Sequence, residues 1–340
     1  MTSKDEFEMK VALKYAETIE YRMEIWYIAY IVIAVLAAVG VLGNFLIIYY
    51  FVRKYKRNIK AMSSYHFLIV LLALIDGLAC ILQALSYHFE WQQEWRLDDW
   101  SCVYGLNYIR LSFPNLSFWT LLLISYERYR NICRPFDGKT SRRKYAAVIV
   151  AMFFACSGLP FLADLAFEYR VTRLRGPDRP KCVVDLAHLS KTRFHVSILS
   201  TAFIGFSPLG LMIFYYRKIS NYMRNEEKNS HNEGQVAERI RKRNKRALRI
   251  ILLLVVIFFI TSVPSRFVFY VYLQLFFDRA NILVLDWGKL IFVEYFTIAL
   301  SIVNFAVNFI VYAFMIKGFR QFLLNVLTFG LRWRCVKRDR

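Results

Sequence analysis

The sequence predicts an all-α membrane protein, a seven-transmembrane helix bundle followed by a short amphipathic eighth helix. Three observations carry that expectation. The 340-residue chain is 57% hydrophobic with only 13 Gly and 7 Pro, more apolar surface than a water-soluble fold of this size can hide. Seven long apolar runs follow one another, each bounded by polar or charged residues. The basic residues crowd into alternate connections between those runs.

The runs are Trp26–Phe51, Met62–Tyr87, Cys102–Ile132, Tyr145–Phe167, Phe194–Tyr222, Arg246–Phe277 and Trp287–Met315. Each reaches the about 20 residues that a spanning helix needs. Helices are expected because an open strand would leave backbone amides unsatisfied in hydrocarbon. No short-period repeat or low-complexity tract divides the chain. The expected organisation is a tail over 1–25, one bundle over 26–315, and an amphipathic helix with a basic tail over 316–340.

Charge sets the expected orientation. Met1–Ile25 holds Lys4, Lys10, Lys14 and Arg22 against six acids, a net charge of −2. It lacks the apolar core of a cleavable signal, so the first run is read as a signal anchor. The connection after that run holds Arg53, Lys54, Lys56, Arg57 and Lys60 and no acid. The connection before run six is densely basic from Arg239 to Arg249, and the C-terminal tail adds Lys317, Arg320, Arg332, Arg334, Lys337, Arg338 and Arg340. Seven crossings put these segments on one side, the cytoplasmic one by the positive-inside rule, and leave the N-terminus outside. The connection between runs four and five also carries several Arg, but long connections follow that rule poorly. The formal net charge of +21 is therefore read as attraction to anionic inner-leaflet lipid rather than to nucleic acid.

Two of the six cysteines, Cys102 and Cys182, fall on the outer side. An oxidising exterior favours a bridge between them. Cys80 and Cys156 are expected to pack within spans. Cys335, after the amphipathic stretch Lys317–Leu327, is read either as a palmitoylation site or as a reduced thiol. Within the outer connection, Glu168–Arg175 and Arg179–Asp185 flank a Gly176-Pro177-Asp178 turn signal. The segment is read either as a hairpin rim or as a solvated loop.

Three charges lie inside the outer halves of spans. Arg110 is about 12 Å below the mouth of span three, Arg266 about 16 Å down span six, and Glu294 about 10 Å down span seven. At such similar depths they either line a charged ligand cavity or pair as a structural salt bridge. Asp76 is a lone acid in the second run, and such residues are costly and usually functional. Pro208 and Pro264 each remove a backbone donor in mid-span and permit a kink.

The order of motifs resembles that of rhodopsin-like G-protein-coupled receptors over nearly the whole chain. It runs Gly43-Asn44, Leu72-Ala73-Leu74-Ile75-Asp76, Trp95 before Cys102, and Glu127-Arg128-Tyr129 with Ile132-Cys133-Arg134-Pro135. Pro208 with Tyr216, Phe258 with Pro264, and Asn308-Phe309-Ile310-Val311-Tyr312 with Phe319-Arg320 complete it. The resemblance implies that Arg128 meets a heterotrimeric G protein, with Glu127 as its partner at rest. It implies a hinge at Pro264 near Phe258, and a meeting of Tyr216 and Tyr312 near Arg128 on activation. It also implies a water or sodium site formed by Asp76, Ser117, Asn304 and Asn308, with no other cofactor. Two positions depart from the family pattern: Ser262 stands for a usual Trp and Phe309 for a usual Pro.

The expected function is therefore that of a receptor, not an enzyme. Its ligand is expected to be a peptide held near Arg110, Arg266 and Glu294. An Arg at position 110 disfavours amines, and the absence of Lys between Glu294 and Asn308 disfavours retinal. A non-coupling decoy, a small-anion receptor, and a transporter or channel are the alternatives. No repeat between halves supports the transporter. The start of run six, Asn244-Lys245-Arg246, offers no acid to hold Arg128.

Overall fold

The computed structural model describes residues 3–92, 107–138, 140–166, 171–175, 180–184, 191–229, 235–277 and 287–328. These residues form seven long helices: α1 (Ser3–Tyr55), α2 (Ser64–Gln92), α3 (Asn107–Cys133), α4 (Arg142–Ala166), α5 (Lys191–Asn229), α6 (Gln235–Phe277) and α7 (Trp287–Met315). A shorter helix, α8 (Lys317–Leu327), follows α7 after a break at Ile316. The strands β1 (Val171–Arg175) and β2 (Pro180–Val184) pair antiparallel between α4 and α5, with Arg173 opposite Cys182. The outer connection thus takes the hairpin form of the two readings.

The segment expected as the N-terminal tail is helical. The backbone of α1 runs unbroken from Ser3, so residues 3–25 continue the first span as helix. Polar residues do not end a helix by themselves, and neither Gly nor Pro interrupts this stretch until Gly40.

The helices pack as a bundle. α1 lies against α2 and α7, α3 against α2, α4 and α5, and α6 against α5 and α7. The periodicity of α1 shows why. Ile33, Ala37, Gly40, Asn44, Ile47 and Phe51 recur at three- and four-residue steps and are buried, while Ile28, Val35, Leu42 and Val52 face outward. Both faces are apolar, as expected of a helix that meets protein on one side and lipid on the other. Among the described residues, four stretches are long and apolar enough to cross a membrane: Tyr27–Tyr55, Ser64–Leu85, Glu238–Pro264 and Tyr295–Met315. α3 is more polar because its polar side chains turn inward, Ser112, Ser117, Thr120 and Ser125 all being buried.

Two helix contacts are close because glycine permits them. A Cβ at Gly43 would collide with the Phe309 ring of α7, and one at Gly40 would come within 2.5 Å of the Cys80 sulfur of α2. Small residues let membrane helices approach where no hydrophobic drive exists. Phe309, the residue in place of the family's proline, fills the space that Gly43 leaves. α8 folds under α1: Phe319 and Phe322 are buried against Tyr50, with ring centroids 5.3 and 5.6 Å away.

Substituting Gly43 with Val is expected to cost about 1–3 kcal/mol through overpacking and to lower the thermal unfolding temperature of detergent-purified protein. Adding Phe309→Ala should restore part of the loss. An unchanged temperature in the single variant would show that the ring is not confined there.

Candidate functional site

Asp76 is fully buried in α2, and its carboxylate is served from two other helices. Ser117 Oγ of α3 donates to Oδ1 at 2.5 Å, and Asn308 Nδ2 of α7 donates to Oδ2 at 2.5 Å. A carboxylate in an apolar interior is tolerated only when its lone pairs are occupied. Asn304, one turn before Asn308, is 3% exposed on the same side of α7. The structure therefore gathers Asp76, Ser117 and Asn308 by direct hydrogen bonds and places Asn304 in the same buried layer of α7. Asn44 ties α1 to α7 at this level: Nδ2 donates to the Phe305 carbonyl at 3.1 Å and to Gly40 at 2.9 Å, while its Oδ1 is buried without a partner.

The second cluster is at the C-terminal end of α3. Glu127 is 5% exposed and accepts a hydrogen bond from the Tyr145 hydroxyl of α4. The guanidinium carbon of Arg128 lies 3.3 Å from the ring centroid of Tyr65 at the start of α2, and Arg128 Nε is buried with no hydrogen-bond partner. The expected pairing of Glu127 with Arg128 is not formed. Adjacent residues on a helix project about 100° apart and do not face each other, so each is taken by a different neighbouring helix.

Tyr129 stacks near Tyr215 of α5 at 5.2 Å, and Tyr126 approaches the same ring at 5.6 Å. Tyr215 thus joins α5 to α3 in this structure. Tyr312 is 1% exposed in α7, its hydroxyl buried and without a hydrogen-bond partner among the described residues.

The connection after α3 is pinned to that helix. Arg130 donates to the carbonyls of Asp137 and Gly138, and Arg134 pairs with Asp137 at 3.5 Å. Gly138 takes a positive φ of 31°, a conformation that glycine adopts without steric cost. Beyond it, Ser64 Oγ donates to the Thr140 carbonyl at 3.0 Å and Arg142 to that of Ile59 at 2.7 Å. These bonds attach the first turn of α2 and the connection before it to the start of α4 and the segment leading into it.

Phe258 of α6 is 1% exposed and stacks on Phe118 of α3 with an interplanar angle of 22°. One turn on, Thr261 donates to the Ile257 carbonyl, and Pro264 follows inside the helix. α5 and α6 meet again past the core, where Lys245 Nζ lies 2.9 and 3.0 Å from the two oxygens of Glu227. That hydrogen bond holds the Glu227 carboxyl below its usual range.

Other expected residues are placed only in part. Arg110, Arg266 and Glu294 lie in α3, α6 and α7, but their side chains fall outside the described residues, as does that of Cys182. Cys102 and Cys335 lie wholly outside them. Cys80 and Cys156 are buried, as packing residues should be. Sequence reasoning missed Tyr65, Tyr145 and Tyr215. A positional signal was available for two of them, because Tyr65 and Tyr145 are aromatic residues in the first turns of α2 and α4.

Asn308→Ala leaves the buried carboxylate short of one donor. A loss of about 1.5–3 kcal/mol is expected, read as a lower unfolding temperature in detergent. Combining it with Asp76→Asn should lessen the loss, because no charge is then left underserved. Equal losses in the single and double variants would argue against a charged Asp76.

Residues 43–312 match the family described as 7 transmembrane receptor (rhodopsin family). The galanin-like G-protein coupled receptor npr-9 of Caenorhabditis elegans is 23% identical over 96% of this chain and 78% of its own length. The tachykinin-like peptides receptor 86C of Drosophila melanogaster is 20% identical over 87% of this chain and 58% of its own length. Opsin-VA of Rutilus rutilus is 24% identical over 58% of this chain and 50% of its own length. The chain therefore spans between half and about three quarters of these relatives. With seven long helices, a buried carboxylate shared by three of them, and this match across most of its length, the chain is a multi-pass membrane protein belonging to the rhodopsin family of seven-transmembrane receptors.

Proposed function

We propose that the protein is a neuropeptide receptor of the plasma membrane, with its N-terminus outside, that activates heterotrimeric G proteins. The observation that carries this reading is Glu127-Arg128-Tyr129 at the C-terminal end of α3, inside the family match. The basic connections support a cytoplasmic position for that end, where a G protein would reach Arg128.

A peptide ligand is supported by the names of two relatives, one galanin-like and one a receptor for tachykinin-like peptides. The β1–β2 hairpin fits an open rim for such a ligand. Unlike the opsins, this chain has no Lys between Glu294 and Asn308 to carry retinal. Arg110, Arg266 and Glu294 are proposed to contact the ligand, and a Cys102–Cys182 bridge to hold the hairpin over the cavity. The Asp76, Ser117, Asn304 and Asn308 layer is proposed to take a sodium ion or water. Cys335 is proposed as a lipid anchor for α8.

Ser262 and Phe309 favour a second reading, a receptor that binds ligand without coupling, since both replace residues that the family uses in activation.

The test is G-protein activation in cells exposed to a neuropeptide library and an amine panel. A peptide response is expected, abolished by Arg128→Ala at equal surface expression. Ligand binding without activation in either form would establish the decoy reading instead.

A further inference from the structure

We infer that Tyr65 is a positioning residue for Arg128, holding its guanidinium in the resting receptor by a cation–π contact in place of an ion pair. The inference rests on the coupling role proposed for Arg128.

Three observations lead to it. The Arg128 guanidinium carbon is 3.3 Å from the Tyr65 ring centroid, well inside the about 6 Å within which a cation is attracted by a ring face. No carboxylate competes for it among the described residues. Glu127 is engaged by Tyr145, Glu227 by Lys245, Glu238 by Lys242, Asp137 by Arg134, Glu226 by Tyr222, and Asp76 by Ser117 and Asn308. Arg128 Nε has no hydrogen-bond partner among the described residues. The ring of Tyr65 is thus the described contact that decides where this charge sits.

The ring itself is held. Ser64, its neighbour, is bonded to Thr140. On the other side the hydroxyls of Tyr55 and Ser63 lie 2.9 and 3.0 Å from His66 Nδ1. The first turn of α2 is therefore fixed to the end of α1 and to the segment leading into α4, and it presents Tyr65 to α3 from a rigid base. A cation–π hold lacks the directionality of a bidentate carboxylate pair. The guanidinium can leave the ring without stranding a buried anion, so a contact of this kind sets a shallow resting state.

Basal G-protein activation at matched surface expression tests this, with Arg128→Ala added to each form. Tyr65→Leu is expected to raise the ligand-independent signal, by up to about 5- to 30-fold for the loss of one desolvated cation–π contact. Tyr65→Met should act alike if leucine disturbs packing. Tyr65→Phe keeps the ring and should stay close to the parent, and the rise should vanish with Arg128→Ala.

A readout independent of coupling is the Nε–H resonance of Arg128 in 15N-arginine-labelled receptor in nanodiscs, assigned by its loss in Arg128→Lys. Ring stacking should shift it in the parent and in Tyr65→Phe but not in Tyr65→Leu. A resonance unmoved by Tyr65→Leu would overturn the proposal, and so would a basal signal unmoved when the shift is lost. A ring shift lost in Tyr65→Leu, with no form activating any G protein even under ligand, would uphold the positioning and sink the coupling reading.

Discussion

A chain inside hydrocarbon has no water to finish its hydrogen bonds, so each polar group must find its partner within the bundle. The rest of this structure depends on that constraint. It turns the long apolar runs into helices, and it makes the few buried polar side chains into links between them. Asp76 shows the effect most plainly. Its two oxygens are served by α3 and α7 while the residue itself belongs to α2, so one carboxylate fixes the relative height of three helices. Asn44 does the same between α1 and α7. Apolar packing alone would leave these helices free to slide, because lipid tails are as apolar as leucine.

Much of the fold was legible in the sequence because the bilayer imposes a single length scale. Runs of about 20 apolar residues mark spans, and the seven read from the sequence correspond to the seven long helices. The hairpin after α4 was readable as one of two forms from Gly176-Pro177-Asp178, since turn residues have local causes. The start of α1 was not legible. Hydropathy ends where the polar residues begin, but the helical backbone has no reason to end there. That Asp76 needs partners was readable because an acid in an apolar run is costly, while the identity of those partners came from the resemblance. What adjacency in sequence cannot tell is which neighbour a side chain faces. Glu127 and Arg128 are consecutive, and for that reason they point to different helices.

The two departures from the family pattern have different physical characters. Phe309 is accommodated by a specific partner, because Gly43 leaves the space its ring fills. A flexible proline kink is exchanged there for a packed contact between α1 and α7. Ser262 is 6% exposed and removes an aromatic volume from the level just above the Phe258–Phe118 stack. The Phe258–Phe118 contact between α3 and α6 lies about one turn deeper.

α6 is also a lever. It is 43 residues long, and Pro264 divides it unequally. The arm from Pro264 to the helix start is about 44 Å long at 1.5 Å per residue. Each degree of bend at the proline therefore carries the far tip about 0.8 Å. A rearrangement too small to break any contact near the proline is enlarged, by leverage alone, into a displacement the size of a side chain at the opposite end.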